Sequence, residues 1–87
     1  MKAKTTKPIL FPRIAKLCRE ARAKTPWSQT DVSMKMGWKN GQFMSNIERG
    51  LCSLPSKYLM QFCAILEIPV ENVIDAMVED YKAALWK

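Results

Sequence analysis

Gly37, Gly41 and Gly50 divide the stretch from Ser28 to Gly50, SQTDVSMKMGWKNGQFMSNIERG, into two segments too short to fold alone. Ser28 is a candidate N-cap, its hydroxyl able to accept an orphan backbone N–H. Val32 and Met36 follow four apart on one face with the small Ser33 beside them, and Gly37 suits a left-handed C-cap. After the polar turn Lys39-Asn40-Gly41, Met44 and Ile47 lie three apart on a buried face, and Gly50 stops the second segment. The opposite face carries Gln42, Phe43, Ser45, Asn46 and Arg49, polar and amide-rich, of the kind that reads base edges. Two short helices around a tight turn form the helix-turn-helix pattern.

The remaining chain supplies a support for that unit. Ile14, Leu17, Cys18 and Ala21 recur at helical spacing and predict an amphipathic helix over residues 11–24, with Pro12 tolerated in its first turn. Arg13, Lys16, Arg19, Arg22 and Lys24 form its polar side. Trp27, just before the N-cap, is expected to close the core as a hydrophobic staple would, with stacking on a nucleotide base as the lesser alternative. Residues 51–55 read as a loop. A fourth helix is expected over residues 56–66, burying most of Leu59, Met60, Cys63, Ile65 and Leu66. Glu67-Ile68-Pro69 breaks it. A fifth helix is expected over residues 70–85, with Val73, Ile74, Met77, Val78, Tyr81 and Leu85 on one side, a stripe longer than core packing needs, so that its first half is expected to pack on the core and its far end is a candidate dimer seam. No strand or repeat is evident. The expected fold is all-α, five helices in one domain over residues 11–87, preceded by a basic arm over residues 1–10. That arm is either a solvated terminus or a DNA-tracking extension.

With 87 residues the chain holds one core. No run reaches the ~18 apolar residues of a membrane span, and the basic N-terminus lacks the apolar region of a signal peptide, so cytoplasmic residence with the nucleoid is expected. A net charge of +6 favours a polyanionic partner. Glu67, Glu71, Asp75, Glu79 and Asp80 all lie in the last quarter, leaving residues 1–57 strongly basic and implying a DNA-facing front with a back turned to solvent or a partner. Cys18, Cys52 and Cys63 are odd in number, and the chain has no histidine. These features fit neither zinc-finger spacing nor a paired disulfide framework, and no metal or cofactor is expected. Cys18 and Cys63 read as core residues and Cys52 as the most exposed thiol. Without a histidine, a phosphate loop, a nucleophile elbow or paired carboxylates on the basic half, enzymatic chemistry is not expected.

Laid out in this way, residues 11–75 resemble the lambda-repressor and Cro-like, or XRE-type, helix-turn-helix family. The matching segments are Arg19-Glu20-Ala21-Arg22, Ser28-Gln29, Ile47-Glu48-Arg49-Gly50, and the link from Leu66 to Ile74. The resemblance implies base reading by Gln42 and Asn46, each amide able to pair with adenine N6 and N7, with Ser45 on base or phosphate. Phe43 would press on a thymine methyl or lean on the core. Phosphate contacts would come from Gln29, Lys39, Asn40, Arg49 and Lys57, helped by backbone N–H groups at helix starts. Arg22 and Glu48 would form a structural ion pair. The turn from Trp38 to Gly41 holds one residue more than the family pattern. The alternative register would bury Asn46 and expose Ile47, costing ~1–3 kcal/mol for the unpaired amide. The longer turn leaves open which of Lys39, Asn40 and Gln42 reaches the bases. The implied function is a transcriptional regulator, a small repressor homodimer on double-stranded DNA with no small-molecule ligand. An antitoxin-like or adaptor module on the same fold is the alternative.

Overall fold

The computed structural model describes residues 10–85, so most of the basic arm and the last two residues lie outside the described part. Five α-helices follow one another: α1 (Pro12–Ala23), α2 (Gln29–Met36), α3 (Gln42–Glu48), α4 (Leu59–Leu66) and α5 (Val70–Leu85). A single 3-10 turn, Ser56–Tyr58, leads into α4, and no strand occurs among the described residues. No described helix is long and apolar enough to cross a membrane. The Cα radius of gyration is 13.3 Å, a little above the ~12 Å of a closely packed chain of this length and far below the ~29 Å of an unfolded one.

Local sequence explains both ends of α2 and the start of α3. Ser28 accepts the Asp31 N–H while the Asp31 carboxylate accepts the Ser28 N–H, a reciprocal capping box. Those bonds hold the Asp31 carboxyl below its ordinary pKa, the bond from the Ser28 backbone first. Gly37 ends α2 at φ 80°, a backbone region that a side chain would strain. Gly41 is tight for a different reason: a Cβ there would lie 3.0 Å from Thr30 Oγ1 and 3.4 Å from the Thr30 nitrogen, because the turn passes close over the first turn of α2. Asn40 Oδ1 accepts the Gln42 N–H and starts α3. The Gly50 carbonyl then accepts the N–H groups of Leu10 and Phe11, tying the entry of α1 to the exit of α3.

The core gathers one face of each helix: Ile14 and Cys18 from α1, Val32 and Met36 from α2, Met44 and Ile47 from α3, Phe62, Cys63 and Leu66 from α4, and Val73 from α5. Leu54 and Ile68 fill it from the loops. Ile47 is buried and Asn46 half-buried, so the register of α3 follows the longer turn. Trp38, inside that turn, meets Phe43 at 4.6 Å, Tyr58 at 5.4 Å and Phe62 at 6.5 Å between ring centroids. These aromatic contacts fix the turn against α3 and α4.

Two expectations need correction. Met60 is 69% exposed, and Phe62 takes its place in the core. A helix that buries Phe62, Cys63 and Leu66 turns position 60 to solvent. Cys52, half-buried against the core, is the most exposed of the three thiols, as expected. The second correction concerns α5. Its inward face is Val73, Ala76, Met77 and Asp80, whereas Ile74, Val78, Tyr81 and Leu85 are exposed. The acids at the end of the chain are thus not all on a solvated back. Asp80 is 1% exposed, and its Oδ1 and Oδ2 accept the N–H groups of Arg13 and Ile14 at 3.1 Å each. The residue before α1 is Phe11, which has no side chain to cap the helix. Asp80 therefore supplies the missing cap from the other end of the chain, where a carboxylate also suits the positive helix terminus.

Candidate nucleic-acid interface

Helix α3 is held from behind at one carboxylate. Glu48 is 3% exposed, and Arg22 engages it with both arms of the guanidinium, Nε to Oε2 at 2.6 Å and Nη2 to Oε1 at 3.0 Å. Gln29 Nε2 adds a third bond to Oε1 at 3.0 Å. Arg19 Nη1 donates to the Glu48 carbonyl at 2.7 Å, satisfying an acceptor at the end of α3 where a cation is favoured. Arg22 also donates to the Trp27 carbonyl at 3.2 Å. One buried acid therefore locks α1, α2 and α3 together, and each of its oxygens has a partner, the condition under which a buried charge is tolerable.

This network changes the position of Gln29. Sequence reasoning assigns it to phosphate, but one N–H of its amide is spent on Glu48, leaving the second N–H as its remaining side-chain donor. Arg19, which that reasoning left among the surface charges of α1, belongs to the network instead. The signal available in the sequence was a second arginine one turn before Arg22, on the side of α1 that meets the Ile-Glu-Arg-Gly end of α3.

The outward side of α3 presents a different surface. Gln42 and Arg49 are exposed, and Ser45 and Asn46 are half-buried. Gln42 Nε2 donates to Asn46 Oδ1 at 3.0 Å, joining the two amides across one helical turn. Beside them lies a shallow trough of about 470 Å³ lined by Trp38, Lys39, Asn40, Gln42, Phe43 and Asn46. Phe43 forms its apolar wall, half-buried, with its ring centroid 4.6 Å from that of Trp38. Asn40 uses its oxygen to start α3 and keeps its NH₂ group for other partners. Lys39 and Lys57 are exposed, with Lys57 Nζ 5.2 Å from the Tyr58 ring centroid. Gln42, Asn46, Lys39 and Asn40 thus come together at the trough, whereas Gln29 lies with the rear network.

Among the described residues no group of His, Cys, Asp and Glu is arranged to hold a metal ion. The arrangement offers directional hydrogen-bonding groups on α3 with the exposed cations Lys39, Arg49 and Lys57 around it. Compared with protein-family models, curated proteins and solved structures, the chain gives no significant match.

Proposed function

We propose that the chain is a sequence-specific double-stranded-DNA binder of the lambda-repressor and Cro-like kind, acting as a small dimeric transcriptional repressor. In this reading α2 and α3 are the helix-turn-helix, and α3 enters the major groove. One observation carries the proposal: α3 is anchored by buried Met44, Ile47 and Glu48 while its other face turns Gln42, Ser45, Asn46 and Arg49 outward. An adaptor surface for protein would gain more from apolar groups there; amides and cations suit base edges and phosphates.

Lys39, Asn40, Arg49 and Lys57 are the proposed phosphate contacts, with the spare amide N–H of Gln29 joining them. Repression would follow from occlusion, a dimer covering two half-sites about one helical turn apart, ~34 Å. The exposed stripe of α5, Ile74, Val78, Tyr81 and Leu85, is the proposed dimer seam. Promoters of phage, mobile elements or the protein's own gene are the natural setting for such a repressor, in the cytoplasm with the nucleoid.

The same stripe favours the second reading, an antitoxin-like or adaptor module whose main partner is another polypeptide. A salt titration of complex formation with duplex DNA, followed by fluorescence anisotropy, separates the two. If four to six phosphates are neutralised, log K should fall against log salt with a slope of roughly −4 to −5. A flat dependence or an absence of binding to duplex would contradict the DNA reading.

A further inference from the structure

We infer that Gln42 and Asn46 are not two independent readers but one unit, in which Asn46 positions the Gln42 amide on a single adenine per half-site. The inference rests on the reading of α3 as the DNA-facing helix and assigns the division of labour within it.

The bond from Gln42 Nε2 to Asn46 Oδ1, 3.0 Å long, decides what each amide has left. A primary amide offers two N–H donors and an oxygen with two lone pairs. Gln42 spends one N–H and keeps its second N–H and its oxygen, the donor and acceptor needed for adenine N7 and N6 in the major groove. Asn46 has turned its oxygen along the helix toward Gln42, so it faces outward chiefly with donors. Such N–H groups can donate to any lone pair: guanine O6 or N7, thymine O4, or a phosphate oxygen. The two positions are therefore unequal, one demanding adenine and the other tolerant.

Burial points the same way. Gln42 is exposed and reaches outward, whereas Asn46 is half-buried and sits one turn further along α3. Gln42 is a flexible side chain that would lose rotamer freedom on binding. Its backbone N–H is held by Asn40 Oδ1 at 2.9 Å and its side chain by Asn46, so part of that ordering is already present in the free protein.

The test selects bound sites from random duplexes with wild type, Gln42→Ala, Asn46→Ala, the double variant and Asn46→Asp, all checked for a retained helical melt by circular dichroism. Wild type should select one A·T pair in each half-site, by about ten-fold or more over other pairs. Gln42→Ala should erase that preference. Asn46→Ala should weaken it at the same base pair by several-fold, and the double variant should be no worse than Gln42→Ala, the non-additivity expected of one unit. Asn46→Asp keeps the accepting oxygen, so it should retain the A·T preference while its added charge lowers affinity for all sequences. If Asn46→Ala instead relaxed a different base pair, or the single effects multiplied in the double variant, the amides would be separate readers. The unit would then be refuted with the DNA-facing helix intact. Failure of wild type to select any site would overturn the reading of α3 itself, and the inference with it.

Discussion

Glu48 accepts three side-chain hydrogen bonds, and Arg22 supplies two of them. Replacing Arg22 with Met keeps much of the packing but leaves a buried carboxylate with only the Gln29 amide, a loss of about 3 kcal/mol at the lower end for broken buried pairs, since Arg22 itself is partly exposed. Urea denaturation should show the midpoint falling with an unchanged slope; a loss below about 0.5 kcal/mol would mean that water replaces the arginine without cost. The cysteines give a second test. Burial first, and then the nearby Glu48 charge, push the Cys18 thiol up to about 12, so almost none of it is thiolate at neutral pH. Burial also raises Cys52 and Cys63, but Cys52 alone is not fully buried. Alkylation of the native protein followed by mass spectrometry should modify Cys52 first and reach Cys18 and Cys63 only on unfolding. Equal rates at all three would contradict the packing around α1 and α4. The buried state of Cys18 and Cys63 was legible from their places on apolar faces. The partners of Gln29 were not, because a glutamine at a helix start suits an exposed phosphate and a buried acid equally well until the neighbouring helix is in place.

At the scale of elements, α5 teaches the most. Counting only apolar residues puts Val73, Ile74, Met77, Val78, Tyr81 and Leu85 on one side, yet Asp80 lies inward while Ile74, in the half expected to pack on the core, is 43% exposed. The requirement that rotates the helix is electrostatic: α1 begins at Phe11-Pro12 without a capping side chain, and its first N–H groups need an acceptor. A hydrophobic pattern cannot register that demand, although an uncapped helix start and an acid at helical spacing from Val73 together hint at it. Asp80→Ala should cost about 2 kcal/mol, since it removes a cap and strands the buried Ile14 N–H together with the part-buried Arg13 N–H. Hydrogen exchange at the Arg13 and Ile14 amides should then accelerate. Asp80→Asn retains one accepting oxygen and should cost less. Unchanged protection at both amides in Asp80→Ala would show that the cap is dispensable. The short helices α2 and α3, by contrast, follow their local signals closely, because Ser28, Gly37 and Asn40 set their ends through bonds made within a few residues.

Across the whole molecule, the number, order and approximate limits of the helices were readable because each has apolar residues at helical spacing and a turn signal at its ends. Which groups meet across helices was less readable, since the Arg19, Arg22, Gln29 and Glu48 network depends on three helices arriving at one point. The charge distribution follows from the same packing: Arg49, Lys39 and Lys57 are exposed, whereas Glu48, the acid of α3, is buried and neutralised by Arg22. A duplex bound along α3 would therefore face cations and amides with no uncompensated carboxylate on that helix. The most direct test of this arrangement is a nuclear magnetic resonance titration of the protein with a selected duplex, following the side-chain NH₂ signals of Gln42 and Asn46 beside the backbone amides of all five helices. The account predicts that both NH₂ pairs shift at stoichiometric DNA, together with the amides from Lys39 to Arg49. Shifts confined to α5, with the Gln42 and Asn46 signals unmoved, would contradict it.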